Sequence, residues 1–281
     1  MRRFWPMMKP VTTTGTATTN TSTPWRFAPL SRPFTPGPGV RKLEGIVFDV
    51  DGTLCQPQTY MFDEMRSALN ITKSTDILDH VYALPTQADQ DRAMSLIRAV
   101  ESRAMLSQVA QPGLVSLMTY LSSRGIRKGI CTRNFDAPVQ NLLSKFLDGH
   151  EFGPIVTRDF RPPKPDPAGI LHIARSWGLF RKSGGEAGVL KEGGDAENGR
   201  EKEETEGSDL VKTEKGEEVA DASSLIMVGD SVDDITAGRR AGAKTVLLVN
   251  HVNKHLADHE HTDLVISRLD ELIDVLENGL L

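Results

Sequence analysis

Cysteine, aromatic residues and long apolar runs are all scarce in this sequence of 281 residues. Its two cysteines, Cys55 and Cys131, supply neither a disulfide framework nor a zinc site, so a reducing compartment is the simpler assumption. No apolar run approaches the roughly 20 residues that cross a bilayer, which predicts that a membrane is not a partner. The hydrophobic content of 38% still allows a genuine core in one or two domains.

A basic surface is also missing, although the charge is unevenly distributed along the chain. Residues 1–44 carry seven lysines and arginines and one acid, whereas residues 181–222 carry seven basic and thirteen acidic side chains. The formal net charge is -5, and no basic face stands out in the remainder. The charge distribution therefore argues against nucleic acid as a partner.

Residues 1–40 contain no acid and mix threonine, serine and arginine with seven prolines. This composition predicts a disordered basic tail. An acid-free, hydroxyl-rich segment with arginines is also typical of a transit peptide, although the prolines argue against the amphipathic helix of such peptides. Both interpretations stay open, and with them a cytoplasmic or a mitochondrial location.

The acidic segment 181–222 is rich in glycine, glutamate and lysine and contains no aromatic residue. Such a segment cannot bury enough apolar surface to offset the entropy of ordering it. We predict a disordered insertion here. A regulatory or docking loop is the functional alternative.

Apolar runs alternate with helical patterns on both sides of this insertion. Strands are predicted at 46–48, Ile126–Cys131, Ile155–Thr157, Leu225–Val228, Thr245–Val249 and Leu264–Ile266. The alternation predicts an α/β fold, a Rossmann-like three-layer core whose parallel sheet carries helices on both faces. We assign residues 41–55 and 112–281 to this core.

Residues 56–111 are too many for one crossover between strands, and they predict a small α-helical cap. Helices are expected at 61–69, 75–84 and 87–109. In the third, Leu96, Val100 and Leu106 are expected to form the apolar stripe.

Two carboxylates, Asp49 and Asp51, end the first predicted strand, and Gly52 lets the backbone turn away. Carboxylates this close repel unless a cation lies between them or one takes a proton. The usual solution is a hard, oxygen-binding ion such as Mg²⁺. The alternative is a solvated Asp-Gly turn, which is common turn chemistry.

Polar side chains follow other predicted strands as well. Thr132 follows one strand, Asp230 and Asp234 follow another, and Lys164 lies in a proline-rich loop. In an open parallel sheet the carboxyl ends of the strands line one crevice, so these residues can converge there with Asp49. Such a set suits a phosphoryl group, because a carboxylate can attack it while a cation and an ammonium offset its charge.

The chain carries, in order, the segments Asp49-Val50-Asp51-Gly52-Thr53-Leu54, Thr132, Lys164-Pro165-Asp166-Pro167 and Gly229-Asp230-Ser231-x-x-Asp234. These segments resemble the four motifs of the haloacid dehalogenase-like (HAD) hydrolases. The resemblance covers about residues 43–180 and 223–276, and points to the phosphatase branch with a small helical cap.

The resemblance implies a role for each matched residue. Asp49 would be the nucleophile and Asp51 the general acid/base, while Thr132 and Lys164 would hold the phosphoryl oxygens. Asp230 would ligate Mg²⁺ directly, and Asp49 and the backbone carbonyl of Asp51 would complete the protein ligands. Asp234 would support the metal or ligate it through water.

The candidate substrate-binding residues are Gly52, Thr132, Arg133, Asn134 and Lys164. Arg133 could reach the substrate or pair with Asp136, and a surface pair with Asp136 is the favoured interpretation. Asn134 could shape the loop instead of touching substrate.

The predicted function is a Mg²⁺-dependent phosphatase that hydrolyses a small phosphorylated metabolite through an aspartyl-phosphate. A sugar phosphomutase on the same core is one alternative, and a non-catalytic interaction scaffold is another. The sequence does not indicate an oligomeric state.

Overall fold

The computed structural model describes residues 26–182 and 218–280, and within these ranges it contains ten strands, eight α-helices and a 3-10 helix at Lys254–Asp258. The strands are β1 (Arg26–Phe27), β2 (Val40–Arg41), β3 (Gly45–Phe48), β4 (Arg127–Cys131), β5 (Ile155–Val156), β6 (Phe180–Lys182), β7 (Glu218–Ala220), β8 (Leu225–Gly229), β9 (Lys244–Leu248) and β10 (Leu264–Ile266). The helices are α1 (Tyr60–Leu69), α2 (Ile77–Tyr82), α3 (Gln87–Leu106), α4 (Leu114–Ser123), α5 (Asp136–Phe146), α6 (Ala168–Ser176), α7 (Val232–Ala241) and α8 (Glu271–Asn278). None of the helices in the described ranges is long and apolar enough to cross a membrane.

A parallel sheet forms the centre of the molecule, with the strand order β10-β9-β8-β3-β4-β5. Strand β3 lies between β8 and β4, where Gly45 is paired with Leu225 on one side and Arg127 on the other. Parallel strands present their carboxyl ends at one edge, so the residues that follow β3, β4 and β8 meet there. The predicted α/β fold with a parallel sheet is confirmed.

Alternating side chains of β3 bury themselves in two separate cores. Ile46 and Phe48 belong to a large apolar cluster with α4, α5 and α8, whereas Val47 belongs to a second cluster with α6 and α7. All three side chains are fully buried, because helices cover both faces of the sheet. The short run of large apolar residues in the sequence therefore fixes β3 at the centre of a three-layer arrangement.

Helices α1, α2 and α3, residues 60–106, form what we call the helical block. It has its own apolar cluster, in which Met61, Ile77 and Ile97 are buried. Phe135, just after β4 in the core, completes this cluster and joins the block to the sheet.

The buried face of α3 differs from the predicted stripe. Of that stripe only Val100 is buried, while Leu96 and Leu106 are exposed, and small residues such as Ala93 and Ala104 share the buried face with Ile97. Helices α3 and α1 pack closely, and small side chains such as alanine allow this short distance. The predicted stripe is based on large apolar residues and therefore misses the alanines. The helix also ends at Leu106, three residues before the predicted end.

The prediction of one disordered tail at 1–40 is wrong for residues 26–40. Phe27 is 1% exposed and lies in the large core cluster, and its backbone N–H donates to the carbonyl of Leu280. Strand β1 pairs with β2, so the chain begins to pack on the core before the predicted boundary at residue 41. The remainder of the predicted tail, residues 1–25, lies outside the described residues.

The predicted disordered insertion at 181–222 is also too long at both ends. Strands β6 and β7 form an antiparallel pair in which Arg181 is opposite Val219. Ala222 is buried in the second core cluster. Backbone pairing between β6 and β7 orders the two ends of the segment, although the side chains of β6 are exposed. The polar composition gives no sign of this backbone pairing. Residues 183–217 lie outside the described residues.

Candidate active site

One lysine and two aspartates from three distant segments meet at the carboxyl edge of the sheet. Asp49 follows β3, and its backbone N–H donates to the carbonyl of Val228 in the neighbouring strand. The Lys164 ammonium donates to Asp49 Oδ1 at 2.7 Å and to Asp234 Oδ1 at 2.5 Å. These side chains are buried, so the ion pairs are little screened by water.

Helix α7 places Asp234 through the start of the helix itself. Ser231 and Asp234 form a capping box, in which Asp234 Oδ2 accepts hydrogen bonds from the backbone N–H and the hydroxyl of Ser231. The same oxygen accepts from the backbone N–H of Asp230. Asp234 is therefore held rigidly, with one oxygen directed to the helix end and the other to Lys164.

Carboxylate oxygens of Asp49, Asp230 and Asp234 lie within 4.8 Å of one another, and we call these three residues the acid cluster. A compact group of carboxylate oxygens is the donor set that a hard divalent cation prefers. The structure thus brings together three of the four predicted metal positions. The carboxylate of the fourth, Asp51, lies outside the acid cluster, and the role of its backbone carbonyl stays a prediction.

The side chain of Asp51 is held by different partners. Its Oδ2 accepts from Asn134 Nδ2 at 2.9 Å, and its Oδ1 lies 3.4 Å from the thiol sulfur of Cys55. The sequence leaves open whether Asn134 shapes the loop or touches substrate. In the structure it orients the carboxylate of Asp51, the predicted general acid/base.

Gly52 is required by the geometry of this turn. Its φ of +77° lies in the left-handed region, and a Cβ atom at this position would overlap the carboxylate of Asp230. Gln111 Nε2 also donates to the Gly52 carbonyl at 2.6 Å. The turn is thus tightly enclosed, and only glycine leaves room for the neighbouring acid.

Burial and mutual repulsion perturb the acids of this site. Burial, opposed by Lys164 and reinforced by Asp234, raises the pKa of Asp49 to about 7. Burial together with Asp234 and Asp49 raises the pKa of Asp230 to about 8. Burial also raises the pKa of Asp51, although hydrogen bonds from Asn134 and Cys55 oppose this effect. These shifts mark a site that favours either bound protons or a bound cation.

Lys164 remains charged in this environment. Burial acts to lower its pKa, but Asp234 and Asp49 raise it above the ordinary lysine value. A permanently positive ammonium next to Asp49 can attract and hold an anionic group.

The favoured interpretation of Arg133, a surface ion pair with Asp136, is wrong. Its guanidinium forms ion pairs with Asp76 on the helical block and with Asp233 on α7, and not with Asp136. Asp136 instead begins α5 and accepts a hydrogen bond from Gln140. The pair was predicted from closeness in sequence, whereas the loop turns Arg133 toward the crevice.

A crevice of about 330 Å³ opens between the sheet edge and the helical block. Its sheet side contains all the predicted site residues, which are Asp49, Asp51, Gly52, Thr132, Arg133, Asn134, Lys164, Asp230 and Asp234. Within it, Thr132 is buried and its hydroxyl accepts from the backbone N–H of Asn134. The helical block contributes a wall of a different character, formed mainly by Phe62, Met65, Ile77, Leu78 and Arg66.

Sequence reasoning missed three residues that support the site. Asn250 Nδ2 donates to Asp230 Oδ2 at 3.1 Å, and Asn253 Nδ2 donates to the Asp230 carbonyl at 2.6 Å. Arg158 lines the crevice and donates to the Arg133 carbonyl. Asn250 follows β9 and Arg158 follows β5 at the carboxyl edge of the sheet. The expectation that residues after parallel strands line one crevice, which identified Thr132, therefore applies to both.

Comparison with known proteins agrees with this architecture. A family model described as haloacid dehalogenase-like hydrolase matches residues 43–187, and one described as HAD-hydrolase-like matches residues 209–272. An uncharacterized hydrolase of Saccharomyces cerevisiae is 39% identical over 246 residues, covering 85% of this chain and 94% of the yeast protein. The chain therefore belongs to the haloacid dehalogenase-like hydrolases.

Two further relatives extend the comparison. A haloacid dehalogenase-like hydrolase domain-containing protein of Arabidopsis thaliana is 29% identical over 220 residues, covering 74% of this chain and 71% of the plant protein. The crystal structure of a hydrolase from Pseudomonas syringae is similar in fold, with a TM-score of 0.56 and 20% identity. It aligns over 83% of this chain and 98% of its own. The protein is thus a hydrolase by family, and its fold is shared across that family.

Proposed function

We propose that this hydrolase is a Mg²⁺-dependent phosphatase that cleaves a small phosphomonoester through an aspartyl-phosphate on Asp49. The observation that carries the proposal is the contact of the buried Lys164 ammonium with Asp49, beside the acid cluster. An ammonium fixed on the attacking carboxylate provides a binding point for a dianionic phosphoryl group. The helical block would act as the cap that encloses the substrate.

The residues present fit a divalent cation of the Mg²⁺ type. Asp49 and Asp230 offer carboxylate oxygens, and burial and mutual repulsion raise the pKa values of both, an unfavourable effect that a shared cation would offset. Asp234 would support the site, because both of its oxygens already accept hydrogen bonds from Lys164 and the start of α7. When bound, Mg²⁺ would supply positive charge that neutralises the phosphoryl oxygens.

The first half-reaction uses the free oxygen of Asp49. Its Oδ1 accepts from Lys164, so Oδ2 would attack phosphorus in line with the leaving oxygen. A bond forms between Asp49 and phosphorus while the phosphorus–oxygen bond of the ester breaks. Lys164 and the buried hydroxyl of Thr132 would hold the phosphoryl oxygens during transfer.

Proton transfer would fall to Asp51. Burial raises its pKa, which favours the protonated form that can donate to the departing alkoxide. The ionised Asp51 would then take a proton from water as that water attacks the phospho-aspartate and releases phosphate. The hydrogen bond from Asn134 fixes the carboxylate for both steps.

The test is Asp49→Asn, assayed with a panel of phosphorylated metabolites and Mg²⁺. Loss of the nucleophile should lower phosphate release by at least about 1,000-fold. Asp63→Asn, an exposed acid on the helical block, is the matched control and should retain full activity. Full activity of Asp49→Asn would overturn the nucleophile assignment.

The products separate the remaining alternatives. Release of inorganic phosphate supports a phosphatase, whereas transfer to a second hydroxyl of the sugar would identify a phosphomutase. An interaction scaffold predicts that wild-type protein turns over neither the metabolites nor a generic aryl phosphate.

A further inference from the structure

One basic side chain of the crevice has no acidic partner among the residues that the structure describes. Among the described residues that line the crevice, Lys164, Arg133 and Arg158 each form an ion pair with a carboxylate. Arg66 forms none within the described part of the chain, and its Nε is buried there without a hydrogen-bond acceptor. A buried guanidinium N–H without an acceptor is unfavourable, so its presence requires an explanation.

The acids nearest to Arg66 in sequence are already engaged. On the same helix, Asp63 pairs with Lys73 at 3.2 Å and Glu64 pairs with Arg103 at 3.0 Å. Both pairs lie at the exposed surface, away from the crevice lining. The fold thus directs the acids of α1 outward and leaves Arg66 on the crevice side.

The surroundings of Arg66 strengthen its attraction for an anion. The wall of the helical block contains Phe62, Met65, Ile77 and Leu78 beside this arginine, and its acid, Asp76, is already paired with Arg133. Apolar neighbours keep the local dielectric low, and a charged hydrogen bond is stronger there than in water. A guanidinium matches the two oxygens of a carboxylate or phosphate, and such paired hydrogen bonds give both affinity and orientation.

We propose that Arg66 is a specificity-determining residue, and that the natural substrate carries a second anionic group, a carboxylate or a phosphate, which Arg66 binds. This inference rests on the proposed phosphatase function. The reacting phosphoryl group lies at the acid cluster, and the second anion lies against the helical block. The crevice of about 330 Å³ is at the small end of ligand pockets, so both groups belong to one short carbon skeleton.

The first experiment compares matched substrates with wild-type protein and Mg²⁺. One pair is 3-phosphoglycerate against glycerol 3-phosphate, which differ by the carboxylate. The other is propane-1,3-diyl bisphosphate against propyl phosphate, which differ by the second phosphate. The proposal expects a higher kcat/KM, about 10- to 100-fold, for the member with the second anion in at least one pair. The pair that shows the preference identifies which anion is recognised.

The second experiment removes the charge of Arg66. Arg66→Met should abolish most of this preference, mainly by raising KM for the substrate that carries the second anion. The kcat/KM of the matched substrate without that anion should change at least about tenfold less. Arg66→Lys should restore part of the preference, because it keeps the charge but not the paired hydrogen bonds. Arg103→Met, an exposed arginine of the same block, is the control and should leave both substrates unchanged.

A binding measurement separates this inference from the proposed reaction. Calorimetry on Asp49→Asn protein, with and without Arg66→Met, compares 3-phosphoglycerate with glycerol 3-phosphate and the bisphosphate with propyl phosphate. Preference for the ligand that carries the second anionic group, lost with Arg66→Met, supports the inference even if wild-type protein hydrolyses none of these compounds. No preference in either pair, or an equal loss for both members of a pair in Arg66→Met, overturns it.

Discussion

The two sides of the crevice differ in how their side chains are held. On the sheet side, Lys164 contacts two carboxylates, Asp234 accepts from the start of α7, and Asn134 holds Asp51. On the helical side the wall is largely apolar, and the Arg66 guanidinium has a buried nitrogen without a partner in the described structure. The sheet side is therefore fixed by hydrogen bonds, whereas the opposite side is shaped by side chains that can vary without disturbing the sheet.

Arginines of the core connect the two sides. Besides the pair of Arg133 with Asp76, Arg158 forms a buried ion pair with Glu101 of α3, and the guanidinium of Arg161 lies 3.6 Å from the ring centre of Tyr82. Breaking the buried pair of Arg158 with Glu101 would leave an uncompensated charge, so this pair in particular holds the helical block against the core. The apolar wall therefore faces the acid cluster in a defined geometry.

Among changes at residues that take no part in the proposed chemistry, the largest effect should follow from intrusion on the sheet side at Gly52. In Gly52→Ala the added methyl group collides with the Asp230 carboxylate, which should displace a proposed metal ligand. A displacement of about 1 Å near reacting groups can cost about 100-fold in rate, so we expect at least that loss of phosphatase activity.

Gly125→Ala is the matched control for this variant. Gly125 has a φ of +65°, close to that of Gly52, but nothing in the structure lies within 4 Å of an added Cβ. The two variants share the backbone strain and differ in the collision, so assays of both separate the two causes. Equal activity of the two variants would show that the collision with Asp230 is unimportant.

The sequence predicts the sheet side well for a physical reason. Asp49, Thr132 and Asp230 each follow a buried strand, and parallel strands must end at the same edge. Secondary structure and topology alone therefore bring together residues that lie far apart in the chain. The three-dimensional positions of these residues follow from local patterns and need no knowledge of side-chain packing.

The helical side could not be predicted in the same way. Leu96 and Leu106 are exposed while Ala93 is buried, because the packing distance between helices selects side-chain size after the fold forms. Arg66 gives no signal, since an arginine within a helix is ordinarily a solvated residue. Phe27 likewise packs on the core through a backbone contact with Leu280, and composition carries no information about so distant a partner.

A smaller effect is expected from the residue that orients Asp230. Asn250→Ala removes the 3.1 Å hydrogen bond to the Asp230 carboxylate. Partners of this kind typically contribute at least tenfold to metal affinity, so Mg²⁺ binding measured by calorimetry should weaken by about tenfold. Phe62→Ala on the opposite wall should leave Mg²⁺ affinity unchanged while it alters KM. A change of Mg²⁺ affinity in Phe62→Ala, but not in Asn250→Ala, would reverse the assignment of the two sides.

The smallest effect concerns the pH dependence of stability. In the metal-free protein the pKa values of Asp49 and Asp230 are raised to about 7 and about 8, whereas the unfolded chain has ordinary aspartate values near 3.8. Between these limits the folded protein binds more protons than the unfolded chain, so its stability decreases as pH rises. Mg²⁺ bound at the acid cluster, as proposed, would compete with those protons, so its stabilising effect should increase over the same pH range.

Thermal unfolding from about pH 6 to about pH 8, in EDTA and in Mg²⁺, measures this linkage. In EDTA the Tm of the wild type should fall by a few degrees more than that of Asp230→Asn, which cannot bind the proton. Ile97→Val in the core of the helical block should lower the Tm equally at both pH values, because its cost is lost packing. If Ile97→Val changed the pH dependence and Asp230→Asn did not, the titrating groups would lie outside the acid cluster.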